Sequence, residues 1–392
     1  MQKKLTIVAL AIVQALCAWS QQTIIRGGSG GTDILDTKMG QKVREISREI
    51  DYLKNQRISI SASNRNIEVR TWNEPKIGIK AEVNYDSTSS YSEADLWRRA
   101  NIEISDGQNF IKIKADAMNA GIQNQIITGG KATTIGAAHG AGPINLSRSQ
   151  FEDLSAKKSL VIYVPVTASL EILNRFSDIH ISSSLSSLDL ELNNGRVITA
   201  DVDSLILHSK FSWGQFGNIR KAHIVSDYGR FFVKSAGDVN SFSNYSTIEI
   251  SDVSMLLLNH SNNDTYEIGQ AKNIKCQKDY GELRVERLSG QLEFEGTNSD
   301  IKIRDISSSV KLIKINDQFA DIWLPVRKLQ NYSMDFTGEY TTVLSDPDRL
   351  PRADSSGMPT TSSSRFFSNV GSPNENKAHF QIRCASCKID FY

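Results

Sequence analysis

Charge of one sign is missing from this chain: 45 Lys+Arg stand against 44 Asp+Glu in 392 residues. A surface this close to neutral gives no electrostatic footprint for nucleic acid, whose recognition starts with phosphate neutralisation. Histidine is scarce. The six, at 139, 180, 208, 223, 260 and 379, share no metal-ligand spacing and read as ordinary surface residues. His180, between apolar Ile179 and Ile181, is expected to point outward. The sequence lacks G-x-S-x-G, H-E-x-x-H and P-loop motifs. Gly129-Gly130-Lys131 and the stretch Gly136 to Gly142 have no strand–helix context and read as loop. Nothing here implies a metal or a cofactor. After the first 20 residues no apolar run is long enough to span a membrane as a helix.

Those first 20 residues are a predicted secretory signal. Lys3 and Lys4 give the positive start, Leu5 to Leu16 the apolar stretch, and Ala18-Trp19-Ser20 a cleavage site before Gln21. Two other readings stand beside it. An uncleaved anchor would have a short apolar core, and lipidation at Cys17 would follow a bulky Leu16. The mature chain has 43 Lys+Arg and 44 Asp+Glu, a net charge of −1. It is expected in the periplasm or at the cell surface. Three cysteines remain. Cys384 and Cys387 form a possible disulfide in an oxidising compartment. They are a poor zinc site, because zinc wants four ligands and only His379 lies nearby. Cys276 reads as an inert buried thiol.

What is abundant is periodicity. Apolar residues recur as Ile179, Val197, Phe231, Ile248, Tyr266, Leu283 and Ile301, with Gly214 in the one open slot, at steps of 17 or 18. Partners follow two residues on, among them Ile181, Phe216, Val233 and Ile250. A second column runs Ile172, Leu190, Leu207, Ile224, Ser241, Leu258, Cys276, Phe294 and Leu312, with Ser241 as its weak member. The corners repeat too. Asn193, Asp227, Asn244, Asn262 and Asp279 share one position. Asn194, Phe211, Tyr228, Tyr245, Asn263, Tyr280 and Asn298 share the next, and Gly195, Ser212, Gly229, Ser246, Asp264, Gly281 and Ser299 the third. Asn, Asp and Gly tolerate the left-handed backbone of a tight corner, and Gly281 is expected there with positive φ. The pattern predicts an all-β protein: a parallel β-solenoid with 17–18-residue rungs and two short strands per rung.

Around the repeat the chain divides into 21–56, 57–344, 345–376 and 377–392. The first is flexible near Gly27 to Gly31, with a short helix over 36–56; the second is the solenoid with an insertion at 116–150. The third is a Ser/Pro-rich loop. The last is a closing hairpin about Ala385-Ser386, covering the final rung.

Two surface features carry candidate chemistry. Phe211, Tyr228, Tyr245 and Tyr280 form an aromatic corner, able to stack a sugar or, more plainly, one another. Outward Glu249, Glu267, Arg284 and Lys302, with Lys275, Glu293 and Lys311, either host acid–base pairs or pair their charges across rungs. No catalytic residue is assigned.

Three stretches carry a family resemblance: IEVRTWNEPKIGIKAEV at 67–83, the pair NIEISD and FIKIKAD within 101–116, and SLVIYVPVTASLEILNRFSDIHI at 159–181. With them the chain resembles the adhesin-like β-solenoid domains of bacterial envelope proteins, over about residues 57–345. Gln-Gln after the cleavage site and the Asn- and Ser-rich rungs resemble exported Bacteroidetes proteins. The resemblance implies a non-enzymatic structural or adhesive element of the envelope, with glycans or envelope and host surface proteins as partners. It carries no catalytic residues. A carbohydrate-active β-helix enzyme, lyase or hydrolase, is the alternative, and an envelope-stress signalling accessory a third. A cleft holding two outward carboxylates with an Arg or Lys would favour the enzyme.

Overall fold

Residues that recur every 17 or 18 positions share one core only if each repeat lies beside the next, in the same direction and in register. That register is found. The computed structural model describes residues 41–54, 56–86, 90–116, 125–128, 131–134, 159–344, 364–371 and 377–392, and within them the chain is all-β with one short helix. Lys42–Tyr392 form one compact unit. The predicted signal at 1–20 and the Gly-rich stretch lie outside the described residues.

Ile179 stands opposite Val197, Val197 opposite Gly214, Gly214 opposite Phe231 and Phe231 opposite Ile248, all in parallel ladders. In the second column Ile172, Leu190, Leu207, Ile224, Ser241 and Leu258 are successive partners. We call each repeat's strands a tier. The two weak members have physical reasons. A Cβ on Gly214 would come within 2.6 Å of Phe231 Cδ1 and 2.9 Å of Val197 Cγ1, so the Phe231 ring uses the space glycine leaves. Ser241 is buried with its hydroxyl 2.8 Å from that of Tyr266, so the larger neighbour fills the layer and satisfies the polar atom. A third inward column, Leu185, Val202, Ile219, Ala236 and Val253, runs up the bend between the strands.

The corner is left-handed at its second position, and Gly281 has the positive φ expected of it. Asn194, Phe211, Tyr228, Tyr245, Asn263, Tyr280 and Asn298 have φ between 50° and 59°. In the third position Gly281 alone has positive φ, at 97°. Each left-handed residue is held by the next tier: the Tyr228 N–H donates to the Asn244 carbonyl and the Phe211 N–H to the Asp227 carbonyl, both at 3.0 Å.

Several expectations are corrected. Gln41–Asp51 is a strand, where a short helix was read over 36–56. Ile46 and Ile50, both buried, are spaced by four, which puts them on one face in either geometry. The second column continues from Phe294 to Ile315 and not to Leu312, which pairs with Gln291. The turn at Ser307 to Ser309 lengthens this tier. The Gly/Ala-rich insertion holds a small hairpin, Gln125–Thr128 with Lys131–Thr134. The Ser/Pro-rich segment holds the strand Ser364–Val370. Helix Glu93–Arg99 was not foreseen, although Ser92 and Asp95 spell its capping box.

The tail is not a covering hairpin. Ala378–Ala385 lies parallel between Leu312–Gln318 and Tyr332–Glu339. Lys388–Phe391 likewise lies between Asp321–Leu324 and Thr342–Leu344. The last residues of the chain are therefore an inner tier, and Ser364–Val370 closes the end antiparallel to Tyr332–Glu339. The other end mirrors this. Arg57–Ser63 and Asn66–Trp72 lie between the tier of Ser169–Arg175 and Asp178–Ile181 and that of Phe110–Asp116 and Ser159–Pro165. Ile102–Asp106 closes it antiparallel to Phe110–Asp116. An antiparallel strand at each end limits further parallel growth.

Candidate functional site

The four predicted corner aromatics are all about half exposed, but they do not form one site. Phe211 and Tyr228 stack at 5.0 Å with planes 11° apart, and Tyr228 and Tyr245 at 4.9 Å and 3°. That is one tier spacing. Tyr280 is separated from this column by Asn263, the corner residue of the intervening tier. Phe176, Phe319 and Tyr340 hold the same left-handed position with φ of 57°, 59° and 50°, and sequence reading missed them. In the three-ring stack both faces of Tyr228 are covered by its neighbours. Sugar stacking needs a free ring face, which Tyr228 lacks, so this ring braces the corner. Left-handed φ costs an ordinary residue about 1–2 kcal/mol, and two ring contacts of roughly 0.5–1.5 kcal/mol each offset it. Tyr228→Ala is therefore expected to lower stability by about 1–3 kcal/mol in urea denaturation. Tyr228→Asn should cost less, since Asn tolerates the corner. A Tyr228→Ala protein as stable as the parent would show that the rings contribute nothing.

Inside three of the corners, the residue two before the left-handed position and the residue after it are tied to each other. Asn174 and Ser177 are joined at 2.6 Å, and Ser261 and Asp264 at 2.9 Å. Cys384 and Cys387 occupy the same two places and are joined by a disulfide, which removes both thiols as metal ligands. The densest part of this interior is polar. The Asp264 carboxylate accepts from Ser246 N–H (2.6 Å), Ser243 Oγ (2.8 Å), Ser261 Oγ and Asn262 N–H (both 2.9 Å). Buried Lys278 donates to the Asp264 carbonyl at 2.6 Å and to Ser261 Oγ at 3.0 Å. Burial lowers its pKa, opposed by the nearby Asp264 charge. Burial pushes the Cys276 thiol up to about 12, as an inert core cysteine requires. Burial likewise pushes the Asp317 carboxyl up to about 7.

Outside, the charged ladders pair across tiers. Asp178 meets Arg196 and Asp203 meets Arg220, both at 2.5 Å. Arg230 meets Glu249 at 2.7 Å, and Glu267 meets Arg284 at 2.8 Å. Lys302 lies over the Trp323 ring at 5.6 Å. The column predicted as Lys275, Glu293, Lys311 continues instead to Lys314, Glu293's partner, for the same reason that Ile315 replaces Leu312. This column opens a concave patch of about 370 Å³, lined by Lys275, Glu293, Glu295, Lys314 and Arg383 among others. Strand alternation turns these side chains outward, away from buried Cys276, Phe294, Ile315 and Ile382. Sequence reading missed the patch because Arg383 reaches it only through the inserted tail. Among the described residues no helix is long and apolar enough to cross a membrane.

No family model and no curated protein matches this chain. Solved structures do resemble it. A candidate adhesin from Parabacteroides distasonis is 11% identical with a TM-score of 0.34, covering 67% of this chain and 97% of its own. A candidate lipid-binding protein from the same organism is 12% identical with a TM-score of 0.32, covering 73% and 96%. A candidate adhesin from Bacteroides fragilis is 12% identical with a TM-score of 0.22, covering 70% and 97%. Likeness at such scores assigns neither fold nor activity.

Proposed function

We propose that residues 57–344 form a parallel β-solenoid, 17–18 residues to the rung with two short strands each, completed by the inserted tail. The protein is a non-enzymatic, exported element of a bacterial envelope, structural or adhesive, that meets glycans or envelope and host surface proteins through its side. One observation carries this reading: the ladder carboxylates best placed for acid–base work, Glu249 and Glu267, are each held by an arginine of an adjacent tier. Along that ladder the charges are engaged with one another. A second reading keeps one specific support. Glu293 and Glu295 share a concave patch with Lys275, Lys314 and Arg383, the arrangement a polysaccharide lyase or hydrolase would use. The test is a glycan and matrix-protein binding array of residues 21–392, run beside a polysaccharide-degradation screen. Saturable binding without product release supports the adhesive reading. Product release from any polysaccharide overturns it.

A further inference from the structure

The concave patch gathers charged groups that have no ion pair among the described residues; others lie elsewhere on the surface, Lys221 and Asp238 among them, but not around a concavity with an arginine. From Arg175 onward every other described arginine has an ion pair or another contact. Arg383 has neither an ion pair nor a hydrogen bond from its guanidinium among the described residues. Lys275, Lys314, Glu293 and Glu295 are likewise unpaired there, although Glu293 and Lys314 face each other in register. Asp335 also lines the patch and pairs with Arg365 at 3.8 Å, which leaves three unpaired cations facing two unpaired carboxylates. Their spacing says what they fit. Lys275 and Lys314 stand in one outward column two tiers apart, about 10 Å, with Glu293 between them. Arg383 stands one tier further, beside Asn316 in the adjoining column.

We infer that this patch binds a linear acidic polysaccharide, one carboxylate per disaccharide, laid along the stacking direction. A disaccharide repeat is close in length to two tiers, so successive uronate carboxylates meet Lys275 and Lys314. Arg383, one tier beyond Lys314, adds its planar fork to the carboxylate that Lys314 meets, and Glu293 and Glu295 accept from the intervening hydroxyls. The side chains come from strands remote in sequence, already fixed by the ladder, so little ordering is required on binding. This inference rests on the adhesive reading for its role, but the site stands or falls separately.

The test titrates residues 21–392 with hyaluronate, with neutral dextran and with poly-glutamate, at low and high salt. Hyaluronate binding that weakens with salt is expected, with dextran and poly-glutamate failing to bind. Arg383→Gln, and separately the pair Lys275→Gln with Lys314→Gln, should each raise Kd about tenfold or more. Arg220→Gln, whose side chain pairs with Asp203 on another part of the surface, should leave Kd unchanged. Unchanged melting temperatures show that the patch variants remain folded. No hyaluronate binding, or binding that the patch variants retain, overturns the inference and leaves the adhesive reading to the array. Hyaluronate cleavage lost in the patch variants would support the site and overturn the non-enzymatic reading.

Discussion

Deletion of residues 377–392 is expected to remove far more than a terminal cover. The tail fills an inner tier, and Phe380, Ile382, Ile389 and Phe391 are all buried. At about 1.5–3 kcal/mol each, those four side chains account for roughly 6–12 kcal/mol, comparable with the whole stability of many domains. Tyr332–Glu339 also loses its parallel partner, since it pairs with the tail and not with Leu312–Gln318. Hydrogen exchange on the truncated protein should show Tyr332–Glu339 and Ser364–Val370 unprotected, while Ser187–Asn262 keeps its protection because each repeat contacts only its neighbours. A synthetic peptide of residues 377–392 added back should restore protection to 332–339. Protection retained after truncation would mean that the tail is a lid after all.

The second large effect is expected from the corner interior. Asp264→Ala removes a carboxylate that accepts four hydrogen bonds in a fully buried place and takes a nearby negative charge away from buried Lys278, which keeps its bonds to the residue 264 carbonyl and Ser261 Oγ. Donors left unsatisfied in a buried place cost about 1–3 kcal/mol each, so with partial rearrangement a loss of about 3–5 kcal/mol is expected. Adding Lys278→Met should recover part of that loss, because the buried cation that lost the nearby charge then disappears. Urea denaturation of the two proteins decides it. A single-variant loss below about 1 kcal/mol would show that water reaches the site and that the network is not a closed one.

Legibility followed range along the chain. The two apolar columns were readable because each tier contributes the same residue types at the same step. Side-chain period is local, and parallel register follows from it. Ser241 and Gly214 read as defects, since their compensation by Tyr266 and Phe231 comes from other tiers. The corner was located to the residue triplet, and Asn, Asp and Gly marked it as left-handed, but propensity gave no reason for Phe and Tyr at the left-handed place. The stacked rings and the carbonyl of the next tier are what make an aromatic tolerable there. The CASC segment was read as a bend of a hairpin. Its cysteines in fact occupy the two inward places of one more corner, with Ser386 left-handed between them.

By itself the sequence determined the strands, period, inward columns and corner positions of the repeat as far as Phe294, because these depend on neighbours within one repeat or the next. Tertiary structure alone decided that a tier from each end of the chain slips between two others, that Lys314 and not Lys311 follows Glu293, and that Arg383 joins them over one concave patch. The physical reason is that an open parallel edge accepts any strand of matching pattern. Which segment arrives there is set by the competition among strands for that edge, and no local periodicity encodes it.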